Sequence, residues 1–251
     1  MTPVALITGA SAGLGVDFAR QLAAKGYRLV LVARRKYRLD ALAAELGHAR
    51  AVACDLGAPG AVAELMTDIR AAGETVSVLV NNAGFGLGGK FAILNGARQR
   101  SMIDLNCGAL TELAHAVLPD MLAKKKGAIL NVASTAAFQP GPGMAVYFAT
   151  KAFVLSFTEA LHEELRDQGI RVTALCPGPT ATEFGEVAGF GKISAFEKIA
   201  ATSEVVVRAG LDGLEAGKAI VVPGLLNKVG VQGHRLLPRG LLRRVAGMVK
   251  M

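Results

Sequence analysis

The sequence predicts an α/β protein built on a doubly wound, mostly parallel sheet of seven strands in a single domain. Seven short apolar runs are rich in β-branched residues or leucine and lack polar alternation, which is typical of parallel strands covered on both faces. Amphipathic helical patterns separate these runs, and this alternation favours right-handed crossovers. Hydrophobic residues make up 52% of the chain and charged residues 19%, so the composition excludes a disordered protein.

The predicted elements follow one another along most of the chain. Strands are expected at Val4–Thr8, Leu29–Ala33, Ala51–Cys54, Val76–Val80, Ala128–Ala133, Val172–Cys176 and Ala219–Val222. The helical patterns include Val16–Lys25, Leu39–Leu46, Ala61–Ala72, Arg98–Leu122 and Val146–Gln168. We expect one domain over residues 1–223, with a substrate-side insertion at 183–202, followed by a basic extension at 224–251.

The formal net charge of +8 is concentrated at the C-terminal end. No acidic residue follows Glu215, whereas seven basic residues do, which leaves only +1 for residues 1–215. A nearly neutral body argues against a protein-wide nucleic-acid surface, so no nucleic-acid partner is expected.

Cysteine usage and the length of the apolar runs favour a cytoplasmic protein. Cys54, Cys107 and Cys176 lie far apart, which favours free thiols over a disulfide framework or a metal site. The apolar stretches are shorter than the roughly 18 residues of a membrane span, and the N-terminal residues lack a signal-peptide pattern.

The first strand runs into the sequence TGASAGLG at residues 8–15, which then opens a helix. Gly9 allows a tight turn, Gly13 allows a pyrophosphate to approach the backbone, and Gly15 allows close packing of the helix. The helix N-terminus supplies N–H donors and a positive dipole end. This position, at the first strand-to-helix turn, predicts a Rossmann-type dinucleotide site.

The end of the second strand predicts which dinucleotide binds. NAD sites usually place an acidic residue there for the ribose 2′-hydroxyl, whereas this strand ends in Val-Ala-Arg-Arg at residues 32–35. A guanidinium suits a 2′-phosphate, so we predict NADP(H) with Arg34 as its main partner. Arg35 is expected to face water.

The next two strands also end in polar residues. Asp55, followed by Leu56, could accept a hydrogen bond from the adenine amino group. The run Asn81-Asn82-Ala83-Gly84 closes the fourth strand, and paired asparagines at a strand end can fix a loop.

Tyr147 and Lys151 are four residues apart on a predicted helix and share one face. A phenol with a pKa near 10 is a poor acid or base at neutral pH, and a neighbouring ammonium favours the phenolate. Ser134 follows the fifth strand and could polarise a substrate carbonyl.

In order and spacing, these motifs resemble those of the classical short-chain dehydrogenase/reductase family from Pro3 to about Val222. The resemblance identifies Ser134, Tyr147 and Lys151 as a catalytic set that Asn106 completes. It also matches Pro177-Gly178, with Thr180 and Thr182, to a nicotinamide-side loop. The cofactor-binding residues expected from these arguments are Gly9, Ser11, Gly13, Leu14, Gly15, Arg34, Asp55, Leu56, Asn82, Ala83, Gly84, Tyr147, Lys151, Pro177, Gly178, Thr180 and Thr182.

The resemblance implies hydride transfer between a nicotinamide and a carbonyl/alcohol pair, with Tyr147 moving the proton. Lys151 is expected to lower the tyrosine pKa and Asn106 to hold a relay water. No metal is required, and the four histidines lack ligand spacing. Ala12 departs from many NADP-preferring relatives, which carry a basic residue there. The helices of Asn106 and Tyr147 are expected to form a homodimer or homotetramer interface. A non-catalytic NADP-binding protein on the same fold is the alternative.

The substrate is expected to be a hydrophobic carbonyl or alcohol. The phenylalanines and the methionine that should flank it are equally consistent with packing into the protein or a partner. These residues are Phe85, Phe138, Met144, Phe184, Phe190 and Phe196.

The extension ends in an amphipathic pattern. At 100° per residue, Leu241, Leu242, Val245, Met248 and Val249 share one face of a helix, opposite three basic residues. Ten residues are too few for a stable isolated helix, so this face must dock. It covers the substrate pocket or a neighbouring subunit, or it attaches peripherally to an anionic membrane.

Overall fold

The computed structural model describes residues 2–187, 200–236 and 238–248. They form a seven-stranded parallel sheet in the order β3-β2-β1-β4-β5-β6-β7. The strands are β1 Val4–Thr8, β2 Arg28–Ala33, β3 Ala49–Ala53, β4 Val76–Asn81, β5 Gly127–Val132, β6 Ile170–Leu175 and β7 Ile220–Val221. The predicted doubly wound α/β fold is confirmed, and each predicted strand overlaps an observed one.

Helices connect the strands, and two more helices come after the last strand in the chain. They are α1 Leu14–Ala24, α2 Lys36–Leu46, α3 Ala61–Ala71, α4 Gly96–Ile103, α5 Leu110–Lys124, α6 Ala145–Leu165, α7 Phe184–Val187, α8 Ser203–Glu215, α9 Leu225–Leu236 and α10 Arg239–Met248. A π-helical turn, Asp104–Ala109, joins α4 to α5, and two 3₁₀ turns span Thr135–Phe138 and Arg166–Gln168.

The core lies on both faces of the sheet because successive residues of a strand point in opposite directions. On β1, Leu6 packs into a cluster that includes Ile69 of α3 and Leu113 of α5. Its neighbour Ile7 packs into a second cluster that includes Phe18 of α1 and Leu211 of α8. This two-sided burial explains why the strands read as apolar runs without alternation.

The strand order reverses between β1 and β4, and ligands of open α/β sheets bind in the crevice at such a point. Thr8 and Asn81 end these two strands. The Thr8 hydroxyl accepts hydrogen bonds from the backbone N–H groups of Asn82 and Ala83, at 3.0 and 2.9 Å. The loops after β1 and β4 are therefore tied together across the crevice.

The C-terminal extension is helical. The predicted amphipathic helix is observed as α10, on which Leu242 and Ala246 are buried while Leu241 and Val245 stay nearly half exposed. A further helix, α9, was not expected. Among the described residues, no helix has the length and apolar character needed to cross a membrane.

Candidate active site

The glycine-rich loop after β1 packs as tightly as predicted. Gly9 and Gly13 adopt φ angles of +66° and +54°, which favour glycine. A Cβ at Gly15 would lie 2.2 Å from the Gly9 carbonyl oxygen, so α1 starts directly against the loop. Helix α1 begins at Leu14, and its N-terminus provides an anion site at the switch point. The arrangement suits a pyrophosphate.

The two arginines after β2 behave differently from each other. Arg34 is exposed, as a phosphate partner at the surface would be. Arg35 does not simply face water, which corrects the prediction. Its Nε donates to the Ser11 hydroxyl at 3.2 Å, and its guanidinium pairs with Glu183 at 3.1 Å. Arg38, one helical turn on, pairs with the same carboxylate at 2.7 Å.

The residues expected on the adenine and ribose side lie along the same edge of the sheet. Asp55 is exposed and accepts from the Gly57 N–H at 3.2 Å, whereas Leu56 is buried. The Asn82 side chain donates to the carbonyls of Thr8 and Gly9, at 2.9 and 3.3 Å. Asn82 therefore fixes the glycine loop, as the paired asparagines predicted, and positions Ala83 and Gly84 beside it.

Ser134, Tyr147 and Lys151 come together at the carboxyl end of β5. Ser134 caps the 3₁₀ turn, where its hydroxyl accepts from Ala136 N at 3.1 Å and donates to Pro177 O at 3.4 Å. Lys151 Nζ donates to the Val132 carbonyl at 2.7 Å and lies 5.8 Å from the centre of the Tyr147 ring. Tyr147 and Lys151 are both buried.

Burial is the main cause of the pKa shifts of Tyr147 and Lys151. It raises the pKa of Tyr147 to about 12, and the Ser134 hydroxyl acts weakly in the opposite direction. It lowers the pKa of Lys151 to about 8. The expected lowering of the tyrosine pKa by Lys151 is not what the structure shows, because desolvation outweighs any attraction and the ammonium is directed to Val132. Tyr147 is therefore a protonated acid at neutral pH.

Asn106 lies in the π-helical turn and is buried. Its Nδ2 donates to Phe85 O at 3.0 Å and to the Thr150 hydroxyl at 3.1 Å. Its Oδ1 accepts from Phe85 N at 3.1 Å. The side chain thus ties the loop after β4 to α6, which carries Tyr147. An amide oxygen has two lone pairs, so one acceptor position remains.

The loop after β6 crosses the site. Pro177 accepts from Ser134, and Gly178 O accepts from the Thr180 hydroxyl at 3.0 Å. A Cβ at Gly13 would lie 3.1 Å from a methyl carbon of Thr182, so this loop rests on the glycine loop. Thr180 forms a parallel bridge with Ala201, which closes the base of the predicted insertion.

Apolar side chains surround Tyr147. The rings of Phe184 and Phe148 have centroids 5.3 and 6.0 Å from that of Tyr147. Phe85 and Met144 belong to the same cluster. Phe138 does not belong to it, because it lines a cavity of about 370 Å³ with residues of α6, β7 and α9. Phe190 and Phe196 lie outside the described residues.

Sequence reasoning missed Arg38, Glu183 and Thr150. Arg35 and Arg38 are three residues apart at the start of α2, a spacing that places two side chains on one helix face. No local pattern links them to Glu183, which lies 145 residues beyond Arg38. In the described parts of the chain, no group of three or more His, Cys, Asp or Glu side chains could hold a metal ion.

A glycine cradle at the switch point, next to a half-buried serine and a buried tyrosine and lysine, defines a dinucleotide-dependent oxidoreductase. A family model described as short chain dehydrogenase matches residues 3–189. The chain belongs to the classical short-chain dehydrogenase/reductase family, as the resemblance in its motifs predicted.

Similar proteins include enzymes for quite different substrates. The NADP-dependent 3-hydroxy acid dehydrogenase of Salmonella typhi is 39% identical over 187 residues, 73% of this chain and 75% of that one. The short-chain dehydrogenase from Sphingobium yanoikuyae, solved in complex with NADPH, is 36% identical over 93% of both chains, with a TM-score of 0.83. The bulky-bulky ketone specific alcohol dehydrogenase from Comamonas testosteroni is 33% identical over 93% of both chains, with a TM-score of 0.78.

Proposed function

We propose that this chain interconverts a hydrophobic carbonyl compound and its secondary alcohol with NADP(H), using Tyr147 as the acid and base. The observation that carries the proposal is the position of Tyr147. Its buried phenol stands beside Ser134 and Lys151 at the edge of the sheet that also holds the glycine cradle.

The cofactor is NADP(H). A Cβ at Gly9, Gly13 or Gly15 would lie 2.8, 3.1 or 2.2 Å from the nearest protein atom, so the glycines let the loop pack closely and keep the N-terminus of α1 beside the pyrophosphate position. Exposed Arg34 supplies a cation for the 2′-phosphate, and the relatives described as NADP-dependent or bound to NADPH support this choice. When bound, the nicotinamide supplies or accepts the hydride.

The side chains manage the proton and the charge on the substrate oxygen. Tyr147, protonated at neutral pH, donates its proton to the substrate oxygen during reduction and becomes a phenolate; in oxidation that phenolate takes the proton from the alcohol. The Ser134 hydroxyl donates a long hydrogen bond, 3.4 Å, to the carbonyl of Pro177. It can therefore turn and donate to the substrate oxygen instead.

Lys151 and Asn106 support this proton transfer. Lys151 donates one N–H to Val132 and has two more, which can bind ribose hydroxyls. The remaining lone pair of Asn106 Oδ1 can accept from a water that carries protons to solvent.

A hydrophobic ketone fits the surroundings of Tyr147 better than a small acid does. Phe85, Met144, Phe148 and Phe184 pack in one apolar cluster with Tyr147, so an opening beside the phenol would be lined by carbon. Burial of apolar substrate surface against them contributes roughly 25 cal/mol per Å². The Comamonas testosteroni relative, described as specific for bulky-bulky ketones, supports this substrate class.

The test is a panel of ketones, aldehydes and alcohols assayed by NADPH absorbance. Tyr147→Phe removes one hydroxyl and keeps the ring, so turnover should fall at least a thousandfold while NADPH binding stays within a factor of about two. Tyr27→Phe is the matched control and should retain activity. Near-wild-type turnover by Tyr147→Phe would refute the mechanism, and NADPH binding without turnover of any compound would favour a non-catalytic binding protein.

The protein assembles as a homo-oligomer in the cytoplasm. Ile103 on α4 and Phe153 on α6 are each 43% exposed and provide an apolar face for a partner subunit. On α9, Leu225, Leu226 and Val229 are more than 60% exposed and provide a second face. Two such faces suit a tetramer.

The terminal helix α10 belongs to the substrate side of its own subunit. Leu242 and Ala246 are buried, and Gly247 faces Pro142, which lies in the loop between Ser134 and Tyr147. Docking there supports a role as a wall of the pocket. The alternative is peripheral contact of the C-terminal extension with an anionic membrane, through the exposed Leu241 and Val245 of α10 or the apolar face of α9.

A further inference from the structure

Three consecutive residues after β6 span the whole site. Thr182 rests on Gly13 of the glycine loop, Glu183 pairs with Arg35 and Arg38, and Phe184 packs on Tyr147. We call residues 182–184 the strap. It connects the end of β2, where the adenosine half of a dinucleotide binds, to the catalytic tyrosine.

The carboxylate of Glu183 is held as a bound anion would be. Its two oxygens accept from different guanidiniums, at 3.1 Å from Arg35 and 2.7 Å from Arg38. Arg35 also donates to Ser11 of the glycine loop. The two arginines and the serine form an anion site beside the loop, and a side chain of this chain occupies it.

We propose that Glu183 is an internal competitor of the cofactor's 2′-phosphate, which binds beside Arg34 and must displace Glu183 from Arg35 and Arg38 to do so. The proposal rests on the proposed use of NADP(H), and it adds a residue that sets how strongly the 2′-phosphate is preferred. A phosphate with up to two negative charges forms stronger charge-assisted bonds with guanidinium than a carboxylate does, so displacement is feasible.

Displacement also releases the strap at its middle residue. Glu183 is flanked by the contact to Gly13 on one side and by the contact to Tyr147 on the other. A cofactor that carries the 2′-phosphate therefore loosens the segment over the catalytic tyrosine, whereas one without it leaves the ion pairs in place.

The exposure of the ion pairs indicates how strongly Glu183 reduces the affinity for the 2′-phosphate. All three side chains are between 36% and 43% exposed, so each pair is screened by solvent and contributes modestly. When Glu183 occupies the site, the apparent affinity for the phosphate equals the intrinsic affinity multiplied by the fraction of molecules in which the site is free. Removing the carboxylate charge should tighten phosphate binding by about three- to tenfold.

The experiment is calorimetric titration of the full-length protein with 2′,5′-ADP and with 5′-AMP, which differ in the 2′-phosphate and need no turnover. Glu183→Gln should bind 2′,5′-ADP about three- to tenfold more tightly than wild type and 5′-AMP equally well. The gain should shrink in high salt. Glu45→Gln, which removes an exposed carboxylate paired with Arg20, is the matched control and should change neither affinity.

The direction of each change decides between explanations. Unchanged or weaker 2′,5′-ADP binding by Glu183→Gln would overturn the competition, and equal gains for both nucleotides would assign Glu183 to strap opening alone. Arg35→Ala should weaken 2′,5′-ADP binding, and a loss confined to Arg34→Ala would place the phosphate elsewhere and overturn the proposal. If wild type binds both nucleotides equally, the NADP preference fails. The competition then stands only if Glu183→Gln creates a preference for 2′,5′-ADP.

Discussion

Gly15→Ala tests the contact on which the cofactor loop depends. An alanine Cβ at this position would lie 2.2 Å from the Gly9 carbonyl oxygen and 2.9 Å from the Ala10 Cα. Both atoms belong to the backbone, so no side chain can turn away to make room. Either α1 moves away from the sheet or the loop after β1 changes shape.

Overpacking of this kind costs about 1–3 kcal/mol. For a chain of this size, each kcal/mol lowers the melting temperature by about 2–4 °C, so a fall of roughly 2–12 °C is expected. Any loop movement also displaces Gly13 and the helix N-terminus, so NADPH binding should weaken at least tenfold.

Differential scanning calorimetry and NADPH titration measure the two effects on one sample. Gly230→Ala is the matched control, because Gly230 lies inside α9 with no atom within 4 Å of the added methyl. There alanine should raise stability by about 0.5–1 kcal/mol and leave NADPH binding alone. A Gly15→Ala protein with unchanged melting temperature and affinity would show that the close contact between helix and loop is not required.

Two further predictions concern the pH dependence of the reaction and the exposed face of α9. The reductive kcat/KM for NADPH should fall as the pH rises through about 8, because Lys151 then loses its charge and one of the N–H donors offered to the ribose hydroxyls, while Tyr147, with a pKa of about 12, keeps its proton; a profile that stays flat to pH 9.5 would contradict this. Leu226→Asp, which places a charge on the exposed face of α9, should lower the oligomer mass in light scattering, whereas sedimentation of wild type with anionic but not neutral vesicles at low salt would assign that face to a membrane instead.

The fold and the grouping of the candidate catalytic residues could be predicted from the sequence because both follow largely from short-range rules. Strands buried on both faces read as apolar runs, and the glycine spacing at 9, 13 and 15 follows from local geometry. Tyr147 and Lys151 share a helix face by spacing alone. Their pKa values could not be predicted, because the direction of the pKa shift of Tyr147 depends on how deeply tertiary packing buries the phenol.

The roles of Arg35 and Glu183 depend on a contact between distant parts of the chain. No periodicity predicts which acidic residue will reach the first turn of α2. Helix α9 was not predicted for a different reason: its two internal glycines, Gly230 and Gly233, weaken the helical pattern of the sequence. The docking of α10 was expected, because an amphipathic helix of ten residues needs a surface to cover.

The π-helical turn at Asp104–Ala109 has a consequence for length variation in this part of the chain. Such a turn holds one residue more than an α-helical turn, and a residue corresponds to about 100° of helix rotation. Deleting Leu105 would let α4 and α5 join as one regular helix, with Met102 and Leu113 still able to face the core. Asn106 would turn away from Phe85 and Thr150. We therefore expect the fold to tolerate a deletion of one residue here. Related chains with such a deletion should lack an asparagine side chain at this position of the site.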